Sequence, residues 1–331
     1  MGISELSAVT GNPTLSIVVS MLNEVEVLPN FLKEASDVLD GLGESYEIIF
    51  VDDGSSDGSS DFVIETMKTR DDLRLVQLSR NFGKELALTA GLDHAVGLAV
   101  IPMDADLQDP PAVIPKLVEK WREGHDVVHA IRSGRSSDTW RKRSTAKAFY
   151  VVMAWLSGLK LYPDAGDFRL MDRRVVDEVV KLRESNRFMK GLFAWVGFEQ
   201  TAVHFERPER AAGTTKFNFW KLWNFALDGI TGYSTLPLRV AGYLGMGTAL
   251  IAFFYGLYLF GRTLLFGVDV PGFASIMVAI LFLGGLQLTV LGVIGEYLGR
   301  AYHETKRRPL YIVRRRAGFG DDDAVNPNAD A

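Results

Sequence analysis

Along residues 15–131, short apolar runs of strand length alternate with longer stretches in which apolar side chains recur at helical spacing. "LSIVVSM" (residues 15–21), "YEIIFV" (46–51) and residues 73–78, 98–103 and 126–131 read as strands. In residues 27–42, Leu28, Phe31, Leu32, Ala35, Val38 and Leu39 recur every few positions and predict a helix; a stretch after Ser55 and residues 84–95 and 111–123 predict three more. This β-α alternation implies an α/β domain, a largely parallel sheet wound with helices on both faces. Ligands of such sheets sit outside the carboxyl ends of the strands. The polar loops "NEVE", "DDGSSDGS", "RNFGKE" and "DADLQD" follow the first four strands and so share that edge.

The pattern changes near residue 240. Two uncharged runs, residues 240–261 and 271–295, exceed the roughly 20 residues that a helix needs to cross a bilayer. Between residues 240 and 295 only Arg262 and Asp269 carry charge, and the short connection "RTLLFGVDV" predicts a transmembrane hairpin with both ends on one side. Basic residues flank it, Lys216, Lys221 and Arg239 before and Arg300, Lys306, Arg307, Arg308 and Arg314 to Arg316 after. Basic flanks mark the cytoplasmic side, so the expected location is the cytoplasmic (inner) membrane with the α/β domain in the cytoplasm. In "TKFNFWKLWNF", Phe217, Trp220, Trp223 and Phe225 alternate with lysines and fit a helix in the headgroup plane, as does "FYVVMAWLSGL" at 149–159, with core packing as the alternative. The expected division is a cytoplasmic domain over 1–212, an interfacial region over 213–238, two spanning helices within 239–299, and a basic segment with an acidic disordered tail over 300–331.

Composition adds exclusions. The 331 residues include no cysteine, which removes disulfides and thiolate metal sites. The start, "MGISELSAVTGNPT", lacks the basic and apolar regions of a signal peptide. A net charge of −5, part of it in "GDDDAVNPNADA", argues against a nucleic-acid partner.

In "VIPMDADLQDPP" an apolar run ends in Asp104, Asp106 and Asp109. A solvated acidic loop is one reading. The other is a divalent cation, because Mg²⁺ takes one or two carboxylates and completes its shell with water and substrate phosphates. In "VDDGSSDGSS" the acids form either a strand end with an N-cap or a nucleotide contact accepting hydrogen bonds from base or ribose. The dinucleotide and P-loop glycine fingerprints are absent, which disfavours a dehydrogenase or a P-loop ATPase. His94, His125 and His129 sit in separate elements and read as structural or surface residues.

These loops, with "GDFRLMDRRVVD" at 166–177 and "RAAGTTKF" at 210–217, resemble family 2 glycosyltransferases, and more narrowly the polyprenyl-phosphate group that includes bactoprenol glucosyltransferases and dolichol-phosphate mannose synthases. The resemblance runs from about residue 15 to 311. It implies a GT-A (Rossmann-like) nucleotide-sugar domain followed by the two-helix hairpin, a nucleotide-sugar donor, an isoprenoid-phosphate acceptor in the membrane, and Mg²⁺ or Mn²⁺. It assigns the donor to Asn23, Glu24, Asp52, Asp53, Lys84 and Asp104, with Asp52 and Asp53 at base and ribose. Asp104 and Asp106 become the D-x-D pair for metal and diphosphate, with Gln108 a further metal-shell residue. The first loop departs from the family's P-x-Y-N-E, reading "SMLNE" at 20–24, so the base pocket lacks that aromatic.

The resemblance further implies inversion at the anomeric carbon by an oxygen of the lipid phosphate. A phosphate monoester, with a second pKa of about 6, is already anionic at neutral pH and needs no strong general base. Cations to receive it are sought in Arg132, Arg135, Arg141 and Lys142 and in Arg207, Arg210 and Lys216. Asp167 is either the partner of Arg169 or an acceptor-side catalytic residue. UDP-glucose or a related UDP-hexose with undecaprenyl phosphate, giving a lipid-linked sugar for envelope glycans, is the reading the bactoprenol group favours; a GDP-mannose enzyme stays open. A processive polysaccharide synthase is disfavoured because "NRFMKGLFAWVG" lacks Q-x-x-R-W, and a scaffold because the acids are retained. Glycines along both spans allow packing between copies, so a homo-oligomer is expected.

Overall fold

The computed structural model describes residues 12–132, 165–185, 187, 189–205, 235–266 and 272–320. Arg135, Arg141, Lys142, Arg207, Arg210 and Lys216, the interfacial segment expected at 149–159, residues 213–234 of the one expected over 213–238, and residues 321–331 lie outside the described residues. The chain divides into two units, one α/β and one formed by the two long helices.

In the α/β unit the elements run β1 (Leu15–Met21), α1 (Leu28–Leu42), β2 (Tyr46–Asp52), α2 (Ser59–Met67), β3 (Leu73–Leu78), α3 (Lys84–His94), β4 (Ala99–Asp104), a 3-10 turn (Pro111–Val113), α4 (Ile114–Arg122), β5 (Val127–Arg132), β6 (Ala165–Asp172), α5 (Arg173–Lys181), α6 (Met189–Trp195), β7 (Gln200–Phe205) and, after the second unit, β8 (Val313–Ala317). Each helix expected up to residue 123 is present; the fourth is preceded by a 3-10 turn that starts on the second of the two prolines, Pro111. One sheet holds all eight strands in the order β7-β5-β6-β4-β1-β2-β3-β8. Its centre is parallel, as the alternation implies: β1 pairs with β2 and β4, and β2 with β3. β6, by contrast, runs antiparallel to both β4 and β5, and β8 antiparallel to β3.

Both faces are covered, which is why the central strands are continuous apolar runs. Leu15, Ile17 and Val19 pack with Phe31, Leu39 and Ile101 on one side. Val18, Ile49 and Val51 pack under α3 on the other, with Val175, Val176 and Phe193. At Gly91 the helix backbone approaches the sheet so closely that a Cβ would collide with Val18 Cγ1.

Two boundaries differ from expectation. The stretch 300–331 is not simply a basic segment and tail, because the second long helix continues to Thr305 and Val313–Ala317 is an edge strand of the sheet. Main-chain pairing to β3 recruits a sequence whose side chains, "VRRRA", carry no apolar signal. The first spanning helix also starts earlier, at Leu236.

The second unit consists of α7 (Leu236–Phe266) and α8 (Phe273–Thr305), which pack against each other. Both are long and apolar enough to cross a membrane, over Leu238–Phe266 and Ser275–Thr305. Their Leu, Phe, Ile and Tyr side chains are exposed rather than packed in a core, as a pair surrounded by lipid requires.

Candidate active site

Register brings the acids to one edge. Asp52, at the end of β2, pairs with Met21 of β1, and Asp104, at the end of β4, with Ser20. Beyond them opens a cleft of ≈ 390 Å³ whose polar lining includes Glu24, Asp53, Asn81, Lys84, Asp104 and Asp106.

The two acids of "VDDGSS" divide their work. Asp52 is fully buried; it accepts from Ser55 N at 2.7 Å, from Gln77 Nε2 at 3.2 Å and from the Ser60 hydroxyl. The expected place of Asp52 at base or ribose is therefore occupied by its own turn. Asp53 faces the cleft and accepts from the backbone N–H groups of Phe82 (2.7 Å) and Gly83 (2.9 Å). Burial pushes its carboxyl up, against the pull of those two donors. The loops after β2 and β3 thus share one hinge point. Gly54, at φ 86°, permits it, since a Cβ there would meet Arg80 C and Asn81 N at 2.9 Å.

Asn23 also serves the framework. Its backbone adopts φ 56°, its side-chain oxygen accepts from Ser56 N at 2.9 Å, and its N–H donates to Ser55 at 2.9 Å. Those contacts turn it to the neighbouring loop, whereas Glu24 reaches the cleft. Burial, followed by the charges of Asp106 and Asp104, pushes the Glu24 carboxyl up.

Lys84, the first residue of α3, bridges two acids far apart in sequence: its Nζ lies 2.7 Å from Asp104 Oδ2 and 2.9 Å from Asp167 Oδ2. Burial opposes the charge on Lys84, but Asp167 and Asp104 more than offset it and raise its pKa. Burial likewise would raise Asp167, yet Lys84 holds that carboxyl below its ordinary range. Of the two readings of Asp167, the side-chain pair with Arg169 is not the arrangement found: Asp167 pairs with Lys84. The buried Arg169 guanidinium instead donates to the Gly166 carbonyl (2.7 Å) and stacks on Phe193 (4.3 Å), and burial brings its pKa down to about 10.

In the loop after β4, Asp106 accepts from Gln108 N at 3.0 Å around Leu107, which takes φ 56°. Gln108 is not among the cleft-lining residues. Arg132, expected to meet the acceptor phosphate, lies 3.4 Å from the buried Asp109. Burial and Asp104 push Asp109 up, and Arg132 counters them.

A divalent cation fits this edge. Asp104 and Asp106 offer only oxygen donors, and they line the cleft together with Glu24, which burial and then the charges of Asp106 and Asp104 push up. Among the described residues no three acidic or imidazole groups converge into a closed cation cage, so water and substrate phosphates would complete the shell, the pattern usual for Mg²⁺.

Sequence reasoning missed Glu85 and Lys190 beside Asp167. Glu85 accepts from Met189 N at 3.2 Å and so ties α3 to α6. Its carboxyl is pushed up by burial and by Asp167; burial lowers Lys190. No local signal marks these residues, which meet only through the fold. His129 does what was expected of it: buried, with its ring 2.9 Å from Gln200 Oε1, it is lowered to about 4 by burial and by Arg169.

An α/β sheet with acids gathered at the carboxyl ends of its parallel strands, followed by an apolar helical hairpin, defines a membrane-associated GT-A type of enzyme. The sequence model of Glycosyl transferase family 2 matches residues 16–180, and that of the GtrB C-terminal hairpin matches residues 236–301. An uncharacterized glycosyltransferase of Synechocystis sp. is 56% identical over 90% of this chain and 94% of its own length. The prophage bactoprenol glucosyl transferase homolog of Escherichia coli is 49% identical over 91% of this chain and 98% of its own. The bactoprenol glucosyl transferase of Shigella phage SfX is 49% identical over 91% and 99%. The chain belongs to glycosyltransferase family 2.

Proposed function

We propose that this glycosyltransferase moves glucose from UDP-glucose to a polyisoprenyl phosphate, undecaprenyl phosphate, with inversion, at the cytoplasmic face of the inner membrane. The observation that carries the reading is the near end-to-end likeness, hairpin included, to proteins described as bactoprenol glucosyl transferases. The cleft chemistry supports it. Asp53 is the carboxylate oriented to meet base or ribose, with Glu24 beside it. Asp104 and Asp106 would hold Mg²⁺ or Mn²⁺, which when bound neutralises charge on the diphosphate leaving group.

Asp167, kept ionised by Lys84, is a poor proton acceptor. That suits a nucleophile that arrives as an anion. Asp167 therefore orients, with Lys84 supplying positive charge between donor and acceptor. Arg132, Arg135, Arg141, Arg207, Arg210 and Lys216 are the cations to receive the lipid phosphate, and the glycines of the spans are the surfaces through which copies would pack.

The test is transfer by the purified full chain from radiolabelled UDP-glucose, other UDP-hexoses and GDP-mannose to undecaprenyl phosphate, followed by solvent extraction. Label is expected in the lipid phase from UDP-glucose. Label from GDP-mannose alone would transfer the reading to the mannose synthases.

A further inference from the structure

The chain leaving α8 does not trail away from the catalytic sheet. Tyr311 is 1% exposed, and its hydroxyl donates to Asp93 Oδ2 at 2.7 Å. That oxygen also accepts from Arg183 Nη1 at 2.7 Å. Burial and Asp93 push the Tyr311 hydroxyl up, so its proton is retained and available to donate throughout the neutral range. The next residue, Ile312, accepts at its carbonyl from Ser79 N at 2.8 Å. β8 then pairs with β3, with Val313 opposite Leu78 and the register shifting between Gln77 and Leu78.

These contacts fall at the two ends of one segment. Ser79 begins the loop that leads into α3, and Asp93 lies in the last turn of that helix. Between them lie Asn81, Gly83 and Lys84, which line the cleft. Phe82 packs on the same apolar cluster as Leu310, Val313 and Phe319. On its other side the Asp53 carboxylate holds the loop through Phe82 N and Gly83 N.

We propose that Tyr311 and Ile312 are positioning residues for the donor site: the segment after the membrane hairpin clasps residues 79–93 at both ends and so sets the loop that presents Gly83 and Lys84 to the donor. The inference deepens the functional reading above and rests on it for the identity of the donor. Neither residue touches the cleft; both act through Ser79 and Asp93.

Tyr311→Phe keeps the ring and deletes one hydrogen bond. Arg183→Met is the comparison, since it removes the other donor to the same Asp93 oxygen and leaves the clasp intact. With full-length protein in detergent, UDP binding by calorimetry is expected to weaken about 3- to 10-fold in Tyr311→Phe, less than the full worth of one charge-assisted hydrogen bond because Tyr311 acts on the cleft through Asp93. Arg183→Met should stay within about twofold of wild type. Without nucleotide, hydrogen exchange at the amides of Phe82 and Gly83 should accelerate in Tyr311→Phe while the amides of β1 do not change. Unaltered exchange and UDP affinity in Tyr311→Phe, or equal losses in both variants, would overturn the clasp. Because exchange is read without nucleotide, it judges the clasp even where UDP fails to bind wild type, a result that would sink the donor reading instead.

Discussion

Replacing Lys84 by Met removes the one side chain that bridges Asp104 and Asp167. The side chains are 47%, 33% and 22% exposed for Lys84, Asp104 and Asp167, so solvent screens both pairs. Two charges 4 Å apart are worth about 4 kcal/mol at an effective dielectric of 20, but measured pairs with this exposure fall nearer about 1 kcal/mol each. One further cost arises because Asp167 Oδ1 is already buried without a hydrogen-bond partner among the described residues, so the substitution strips Oδ2 as well. A stability loss of about 1–3 kcal/mol follows. Lys84 holds the folded Asp167 carboxyl low, so its contribution is present above the unfolded value of about 3.9 and is lost as pH falls through the folded one. The gap between wild type and variant should therefore narrow on acidification. Catalysis should suffer more, because loss of a charge-stabilising group near the reacting atoms costs about 10²–10³ in kcat. Initial rates of lipid glucosylation with saturating donor, beside melting curves at pH 7 and about pH 3, measure both. A folded variant with kcat within about threefold of wild type would show that the bridge is only an ion pair of the ligand-free protein.

Asp106→Asn keeps the Gln108 turn through its amide oxygen but weakens a cation ligand, and it should abolish transfer while leaving the melting temperature near wild type; retained activity would remove the metal role. His129 is neutral in the fold down to about 4, so wild-type stability should decline between about pH 6.5 and 4, by at most about 3 kcal/mol, as the unfolded chain takes up the proton the folded one refuses. His129→Asn should flatten that decline, and parallel pH profiles would count against it. Gly91→Ala should lower stability by about 1–3 kcal/mol through overpacking against Val18 and Val51, read as a drop in melting temperature that a second substitution, Val18→Ala, partly restores.

What could be read from the sequence follows from where the physics is local. β1 to β5 announce themselves because strands covered on both faces are mostly apolar runs, and the first four are followed by loops of polar, acidic or glycine residues. β6 carries Asp167 and Arg169 in its middle and was legible as chemistry but not as a strand, since its charges are satisfied by Lys84 from α3 and by its own carbonyls. β8 was read as a basic flank because backbone pairing leaves no mark on "VRRRA". The choice between Asp52 and Asp53 was equally hidden. Asp52 closes β2 and Asp53 opens the loop that follows, and only the fold reveals which of the two meets the cleft and which meets Ser55, Ser60 and Gln77. The D-x-D pair was legible for the opposite reason: three acids directly after a core strand have no apolar neighbour to satisfy.

The most direct test of the central claim is phosphorus NMR of undecaprenyl phosphate incubated with the purified full-length protein and UDP-glucose. Attack by the lipid phosphate on the sugar should convert the monoester signal to a diester signal, one for each UDP released, and Asp106→Asn should leave the monoester untouched. Release of UDP and free glucose with the monoester unchanged would contradict the account, because the lipid phosphate would then not be the nucleophile this site serves.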